Sequence, residues 1–173
     1  GYCACDPLYA PEQAALMARL RNDVSERLWG KRLKHSFGVA ATALWLARRC
    51  GVDEFEAEAA GLLHDWDKKL SPEELWGKVD EYGIDVPRVD GALPVLHGLT
   101  AAASLPRDYP ELGAEVFQAI ARHTTGAPGM TDLDMVVYVA DMIEPGREGG
   151  FVDDIRKLAC TAPLRQVYAE CVR

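Results

Sequence analysis

The sequence lacks both a long hydrophobic run and an excess of positive charge. Its most apolar stretch, residues 39–47, contains a threonine and is far shorter than the ~20 residues that a transmembrane helix needs. The 173 residues carry 19 Lys and Arg against 27 Asp and Glu, a formal net charge of −8. We therefore expect neither a membrane partner nor a long nucleic acid partner. A small anionic substrate stays compatible with this charge if positively charged residues lie close to its binding site.

Cysteine is scarce and shows no CxxC spacing: the five cysteines are Cys3, Cys5, Cys50, Cys160 and Cys171. An odd, scattered set predicts reduced thiols. No secretory signal is visible at the N-terminus, so we expect a cytoplasmic protein. Cys3 and Cys5 form a CxC pair, for which metal binding or oxidation is a minority hypothesis.

What the sequence does contain is helical periodicity from end to end. The predicted helices cover about residues 11–29, 31–50, 71–82, 95–104 and 109–123, with others after Asp53 and after Thr131 or Asp132, and two short ones at the end. The run at residues 135–139 is rich in β-branched residues, but its spacing favours a helix. At this length we expect one all-α domain, residues 31–173, preceded by a helical extension, residues 1–30.

Several polar residues fall where the apolar stripes predict a core. They are His35, the His64-Asp65 pair, His123 and Asp141. Each of these residues alone is most simply explained as a hydrogen-bonded core residue or a helix cap. Together with His97, however, the set includes all four histidines of the chain, and imidazole with carboxylate suits iron, manganese or zinc. Since packed helices bring distant residues into one bundle core, the pattern predicts a metal centre.

The order His35, His64-Asp65, Asp141 resembles the H…HD…D pattern of the HD-domain metal-dependent phosphohydrolases. The stretch GLLHD at residues 61–65, followed by Lys68, strengthens this resemblance. The segments RHTTG at residues 122–126 and ADMIEPGR at residues 140–147 are similar to the YqeK-type family, the symmetrical bis(5′-nucleosyl)-tetraphosphatases of bacteria. The resemblance covers about residues 31–158.

The resemblance implies an all-helical HD-domain bundle with two divalent metals per chain. Iron is the expected metal, and manganese is the alternative. One metal would be held by His35, His64, Asp65 and Asp141, and the other by His97 and His123, with Asp65 bridging. The implied reaction is hydrolysis of diadenosine tetraphosphate to two ADP by attack of a metal-bridging hydroxide.

Further site residues follow from the resemblance and from their position beside these motifs. Asp65 and Lys68 are the predicted catalytic residues. The predicted substrate contacts are Lys68, Thr124, Thr125, Gly126, Arg147, Arg32 and Arg122, each of which could instead be a solvated charge or a turn residue. An adenine-stacking role for Trp66, Trp76 and Tyr82 is a minority hypothesis. Asp67 departs from the family pattern by adding negative charge beside the expected phosphate site, and neither it nor Glu144 has an assigned role.

Two other functions stay open at this point. One is an HD-domain nucleotidase or phosphodiesterase that acts on another nucleotide. The other is a regulatory module that binds metal or nucleotide without catalysis, against which the complete set of metal-binding side chains argues. A homodimer is kept as a hypothesis for the assembly.

Overall fold

The computed structural model describes residues 8–173, so Cys3 and Cys5 lie outside the described residues. In this range the chain forms α-helices and one short 3₁₀ turn, with no strand, which confirms the predicted all-α class. The run at residues 135–139 is helical, as its spacing predicted. The elements are α1 (Pro11–Arg27), α2 (Gly30–Cys50), α3 (Glu54–Leu63), α4 (Pro72–Glu81), the 3₁₀ turn (Asp90–Ala92), α5 (Leu93–Asp108), α6 (Ala114–Arg122), α7 (Asp132–Ile143), α8 (Gly150–Thr161) and α9 (Leu164–Cys171).

Capping side chains start α3, α4 and α7 at the predicted places. Asp53 Oδ1 accepts a hydrogen bond from the Glu56 backbone N–H at 2.8 Å. At α4, Ser71 Oγ accepts from the Glu74 N–H while Glu74 Oε2 accepts from the Ser71 N–H. Thr131 starts α7 with the same reciprocal pair of bonds. Each cap satisfies backbone donors that the first helical turn leaves free.

The predicted bounds of α5 and α6 are wrong. The predicted end of α5 at residue 104 is too early, because the helix continues through Pro106, which lies in its last turn, and ends at Asp108. At this place the missing N–H of Pro106 removes one intrahelical bond without interrupting the helix body. The predicted start of α6 at residue 109 is also too early, because Leu112 N–H bonds Tyr109 O in a turn and Gly113 caps the helix.

The core is built around α3, whose residues 57–63 are all buried. The one charged residue of this buried stretch, Glu58, accepts hydrogen bonds from the Tyr9 hydroxyl and from Arg21. Gly61 lets α3 approach α2 closely, since a Cβ there would lie 3.0 Å from Ala40 Cα. This close approach brings the end of α3, where His64 and Asp65 follow, beside His35 on α2.

Two expectations from composition concern thiols and membranes. Among the described cysteines, Cys50, Cys160 and Cys171 are free. Across residues 8–173 no helix combines the length and the apolar character that crossing a bilayer would require.

Candidate metal centre

Two pairs of histidines flank the carboxylate of Asp65. On one side, Oδ2 lies 3.6 Å from His35 Nε2 and 3.4 Å from His64 Nε2. On the other side, Oδ1 lies 3.2 Å from His97 Nε2 and 3.9 Å from His123 Nε2. The two oxygens of one carboxylate therefore face different histidine pairs, which is the arrangement that a bridging ligand needs.

Asp141 completes the side of the site that holds His35 and His64. Its Oδ1 lies 3.1 Å from His35 Nε2 and 3.9 Å from His64 Nε2. The six residues predicted from the sequence as metal ligands thus meet in one place, although they come from α2, α5 and α7 and from the turns after α3 and α6. His64, Asp65, His97 and His123 are buried.

The outer nitrogens of three histidines contact acceptors that fix where the ring proton sits. His64 Nδ1 lies 2.6 Å from Gly61 O and His123 Nδ1 lies 2.7 Å from Ile120 O. His35 Nδ1 lies 3.0 Å from the carboxylate of Glu144. Since a carbonyl or carboxylate oxygen only accepts, Nδ1 donates in each case. In the neutral ring, Nε2 then carries a lone pair directed at the centre.

This donor set fits divalent metals. His35 Nε2 and His64 Nε2 stand 3.2 Å apart, and His97 Nε2 and His123 Nε2 stand 3.1 Å apart. In the His35–His64 pair, two neutral rings that both donate through Nδ1 would oppose their lone pairs at this distance, whereas a shared cation makes both lone pairs favourable. Imidazole and carboxylate oxygen are the ligands that iron, manganese and zinc accept, and the outer hydrogen bonds are those of metal-binding histidines.

The electrostatics of the site favour the ligand forms of Asp65, Asp141 and His123, but not of His64. Burial would lower the pKa of His64, yet the carboxylates of Asp65 and Asp141 outweigh burial and raise that pKa, which favours the protonated ring. Burial alone would raise the pKa of Asp65, but its histidine neighbours and Arg32 outweigh burial and hold that pKa well below its usual value. In the same way, the histidine neighbours and Arg147 hold the pKa of Asp141 low against burial. Burial, with the two nearby histidines, lowers the pKa of His123 to about 3. At neutral pH both aspartates are therefore ionised and His123 is neutral, as metal binding requires.

Two cavities open beside this centre and share Arg147 and Glu148 in their walls. The first, of about 580 Å³, is mainly basic. The second, of about 430 Å³, has an apolar side. Besides the shared pair, the first is lined by Lys31, Arg32, Lys34, His35, Gly38, Glu144, Pro145 and Gly146, and the second by His123, Thr124, Tyr138, Asp141, Met142 and Val152.

Three of the residues predicted to contact substrate lie at the centre or in the cavities. Arg32 Nη1 is 2.6 Å from Asp65 Oδ2, and Arg147 Nη2 is 2.6 Å from Asp141 Oδ1. Thr124 lines the second cavity, and within residues 8–173 its buried hydroxyl has no hydrogen-bond partner.

The structure places the other predicted contacts outside this group. Arg122 Nη1 donates to the buried carboxylate of Asp134 at 2.7 Å. Lys68 is exposed and lines neither cavity. Thr125 is exposed, and Gly126 adopts a φ of 64° against the Tyr168 hydroxyl.

Asp67 and the aromatic residues considered for base stacking also lie elsewhere. Asp67 is buried and accepts from Arg27 and Lys78, each at 2.6 Å. Its charge is therefore neutralised within the scaffold and does not face a phosphate site. Trp66 packs edge-on against Tyr109, and neither cavity is lined by Trp66, Trp76 or Tyr82.

Sequence reasoning left Glu144 without a role and missed two glycines that make room for the site. A Cβ on Gly38 would lie 2.6 Å from Glu144 Oε2, and one on Gly98 would lie 3.1 Å from His123 Cε1. The sequence contained a signal for both glycines, namely their closeness to a metal-ligand candidate. Gly38 stands three residues after His35 and Gly98 directly follows His97, so each glycine is a neighbour of a metal-ligand candidate on its own helix.

Comparison with known proteins identifies a family and several relatives. The HD domain family model matches residues 32–146. The chain is 37% identical over 150 residues to a symmetrical bis(5′-nucleosyl)-tetraphosphatase of Bacillus subtilis, covering 87% of this chain and 80% of the relative. It is 38% identical over 134 residues to the Staphylococcus aureus protein of the same name, covering 78% of this chain and 69% of the relative.

A solved structure shares the fold. It is a Clostridium acetobutylicum protein described as a predicted HD superfamily hydrolase involved in NAD metabolism. The TM-score is 0.78 at 34% sequence identity, with 87% of this chain and 80% of the other covered. HD domains bind divalent metals, and the histidine and aspartate cluster offers the donors for them. This chain therefore belongs to the HD-domain hydrolases, in the family of the symmetrical bis(5′-nucleosyl)-tetraphosphatases.

Proposed function

We propose that this protein is a metal-dependent hydrolase that cleaves dinucleoside tetraphosphates symmetrically, converting diadenosine tetraphosphate and water into two ADP. The observation that carries the proposal is the Asp65 carboxylate divided between two histidine pairs, together with relatives that bear this activity in their names. The basic cavity beside the centre offers the local positive charge that a polyphosphate requires on a chain of net charge −8.

We propose two divalent ions per chain, iron before manganese. His35, His64 and Asp141 would hold one ion, His97 and His123 the other, and Asp65 both. When bound, the ions would supply Lewis acidity that activates water and neutralises phosphoryl charge. The remaining requirements for hydrolysis fall on the protein's own side chains.

Arg147 and Arg32 bind and orient the polyphosphate in this proposal. Both guanidiniums lie at the edge of the centre, on Asp141 and Asp65, and both line the basic cavity. A guanidinium matches phosphate oxygens in pairs and stabilises the negative charge that develops on the leaving ADP. Because ADP is a good leaving group, charge stabilisation matters more here than a strong general acid.

The second cavity is the proposed place for one nucleoside. Tyr138, Met142 and Val152 provide apolar surface for a base. Because Arg147 and Glu148 border both cavities, one elongated substrate that occupies both would pass Asp141 and the metal centre. Asp65 remains a proposed catalytic residue as the bridging ligand, while Lys68, Thr125, Gly126 and Arg122 stay predictions that await substitution.

We also propose domain bounds, a cellular setting and a partner class for this protein. We keep residues 31–173 as the HD domain, since the family match begins at residue 32, and residues 1–30 as an extension. The free thiols of Cys50, Cys160 and Cys171 support a reducing, cytoplasmic setting. The acidic charge supports a small nucleotide over a long nucleic acid. The homodimer stays a prediction, to be tested by light scattering on the purified protein.

The test is to incubate the protein anaerobically with Fe²⁺, or with Mn²⁺, and diadenosine tetraphosphate, and to separate the products. Two ADP are expected, while AMP plus ATP would refute symmetrical cleavage. Turnover of another nucleotide in place of this one would support the nucleotidase alternative, and metal and nucleotide binding without turnover would support the regulatory module. His64→Ala and Asp65→Ala, checked for folding by circular dichroism, should lose both metal and activity.

A further inference from the structure

Glu144, the residue that follows α7, lies with its carboxylate between α2 and its own loop. Oε1 is 3.0 Å from His35 Nδ1, and Oε2 accepts the Gly146 backbone N–H at 2.7 Å. The side chain is buried, with 4% of the residue exposed. We propose that Glu144 is a positioning residue: it holds a proton on His35 Nδ1 and so keeps His35 Nε2 aimed at the metal centre. This inference rests on the metal centre proposed above.

His35 needs such a partner because of its place in a helix. His64 and His123 each follow the last residue of a helix, and each Nδ1 contacts the carbonyl three residues before it, Gly61 O and Ile120 O. His35 lies inside α2, where the nearby carbonyls accept intrahelical bonds. Glu144 lies in a distant part of the chain. It thus supplies the acceptor that His64 and His123 obtain from a carbonyl of their own helices.

A carboxylate is required because both partners of Glu144 are donors. His35 Nδ1 carries a proton on this side, and the Gly146 N–H points at the second oxygen. A carboxylate offers two acceptor oxygens, whereas a glutamine amide offers one oxygen and one NH₂ group. Glu144→Gln therefore leaves one of the two donors facing another donor, although shape and volume hardly change.

Glycines enclose this carboxylate on two sides. A Cβ on Gly38 would lie 2.6 Å from Oε2, and a Cβ on Gly146 would lie 2.8 Å from Oε1. Gly38 lies within α2, so alanine there suits the backbone and is a better helix former. Gly38→Ala should therefore displace the flexible end of Glu144 without unfolding the protein.

Arg156 on α8 holds the backbone that carries Glu144. Its guanidinium donates to Ile143 O at 2.9 Å and to Glu144 O and Arg147 O at 2.7 Å each. These three carbonyl contacts fasten the end of α7 and the loop after it. The loop is thus placed by α8, and the Glu144 carboxylate is placed by His35, Gly38 and Gly146.

The experiment compares the wild-type chain with Glu144→Gln and Gly38→Ala. In metal-free protein labelled with ¹⁵N-histidine, NMR should show a hydrogen-bonded Nδ1–H on His35, whether that ring is neutral or charged. Both variants should lose this signal, while the Nδ1–H signals of His64 and His123 persist as internal controls. Mn²⁺ titration by calorimetry should show about 10- to 100-fold weaker binding in both variants.

Asp154→Asn on α8 is the control for loss of one negative charge, since its exposed carboxylate pairs with Lys157 at 3.2 Å and, within residues 8–173, contacts no histidine. It should keep the His35 signal and wild-type Mn²⁺ affinity. An Mn²⁺ affinity of Glu144→Gln within about twofold of wild type, or a His35 Nδ1–H that survives the substitution, would overturn the inference. A wild-type chain that binds Mn²⁺ but does not cleave diadenosine tetraphosphate would refute the proposed function and not this role of Glu144.

Discussion

Arg147 and Asp141 form a close pair at the edge of the metal centre. Arg147 Nη2 lies 2.6 Å from Asp141 Oδ1, and Nε donates to the Asp141 carbonyl at 3.0 Å. The same Oδ1 lies 3.1 Å from His35 Nε2. One carboxylate oxygen is therefore shared between a metal-ligand candidate and a guanidinium that borders both cavities, so Arg147 links the centre to the proposed substrate space.

Arg147→Ala should lower kcat/KM for diadenosine tetraphosphate by about 100-fold, because an oriented cation at the phosphoryl groups is lost. Steady-state kinetics with product separation measure this effect. Arg165→Ala is the matched control, since Arg165 is an exposed arginine of α9 that pairs with exposed Asp132. Equal kcat/KM values for the two variants would show that Arg147 does not contact the substrate.

His97→Ala should remove one of the two metals proposed for the centre. His97 faces Asp65 Oδ1 and His123, while the donor group of His35, His64 and Asp141 does not include it. We therefore expect metal content to fall from about two ions per chain to about one, with hydrolysis lost because two-metal chemistry needs both. Elemental analysis of the purified variant measures the content; two ions retained would contradict the assignment of His97.

Gly61→Ala should destabilise the protein by about 1–3 kcal/mol, since a Cβ there is overpacked in the core. It would lie 3.0 Å from Ala40 Cα and 3.1 Å from Ala43 Cβ. Gly77→Ala in α4 is the control, because a Cβ at Gly77 meets nothing within 4 Å, and it should stabilise by about 0.5–1 kcal/mol through helix propensity. Urea denaturation measures both changes. A stability gain in Gly61→Ala would mean that α2 and α3 do not pack as closely as described.

Glu56→Gln should raise stability at neutral pH and leave it unchanged in acid. Burial, with Asp53 and Glu115 nearby, raises the pKa of Glu56 above its ordinary value of 4.5. The folded state thus disfavours the ionised form, and the free energy of unfolding falls as pH rises from the unfolded pKa through the folded one. Since solvent screens a partly exposed group, the gain at pH 7 is about 0.5 kcal/mol or less. Urea denaturation should show that Glu56→Gln has a higher free energy of unfolding than wild type at pH 7 and that this gain shrinks at pH 3.5. An equal gain at both pH values would contradict the raised pKa of Glu56 as its cause.

Helix phase explains which site features the sequence made predictable. The six ligand candidates stood out because each interrupts an apolar stripe or lies near a helix end, and the structure brings them together. Arg32 stands three residues before His35 and shares its face, whereas Arg122 directly precedes His123 and points about 100° away, where Asp134 receives it. Lys68 is four residues after His64, but α3 ends at Leu63, so helical spacing does not apply to it.

Contacts between distant parts of the chain were not predictable in this way. Glu144 and His35 are separated by 109 positions, and no periodicity connects them. Asp67 pairs with Arg27 from α1, which carries no motif that would have indicated the partnership. The bounds of α5 and α6 failed for a local reason, since Pro106 is accommodated in a last turn and Gly113 caps α6.

The ends of three helices converge on the metal centre: His64 follows α3, His123 follows α6, and Asp141 lies in the last turn of α7. The carboxyl end of a helix bears a partial negative charge of about half an electron. Arg32 and Arg147 pair with the two aspartates, so the three helix ends and the Glu144 carboxylate leave the metal-free centre negative and attractive to cations. Metal binding should therefore precede nucleotide binding. This binding order depends on the helix backbone as well as on the metal-binding side chains.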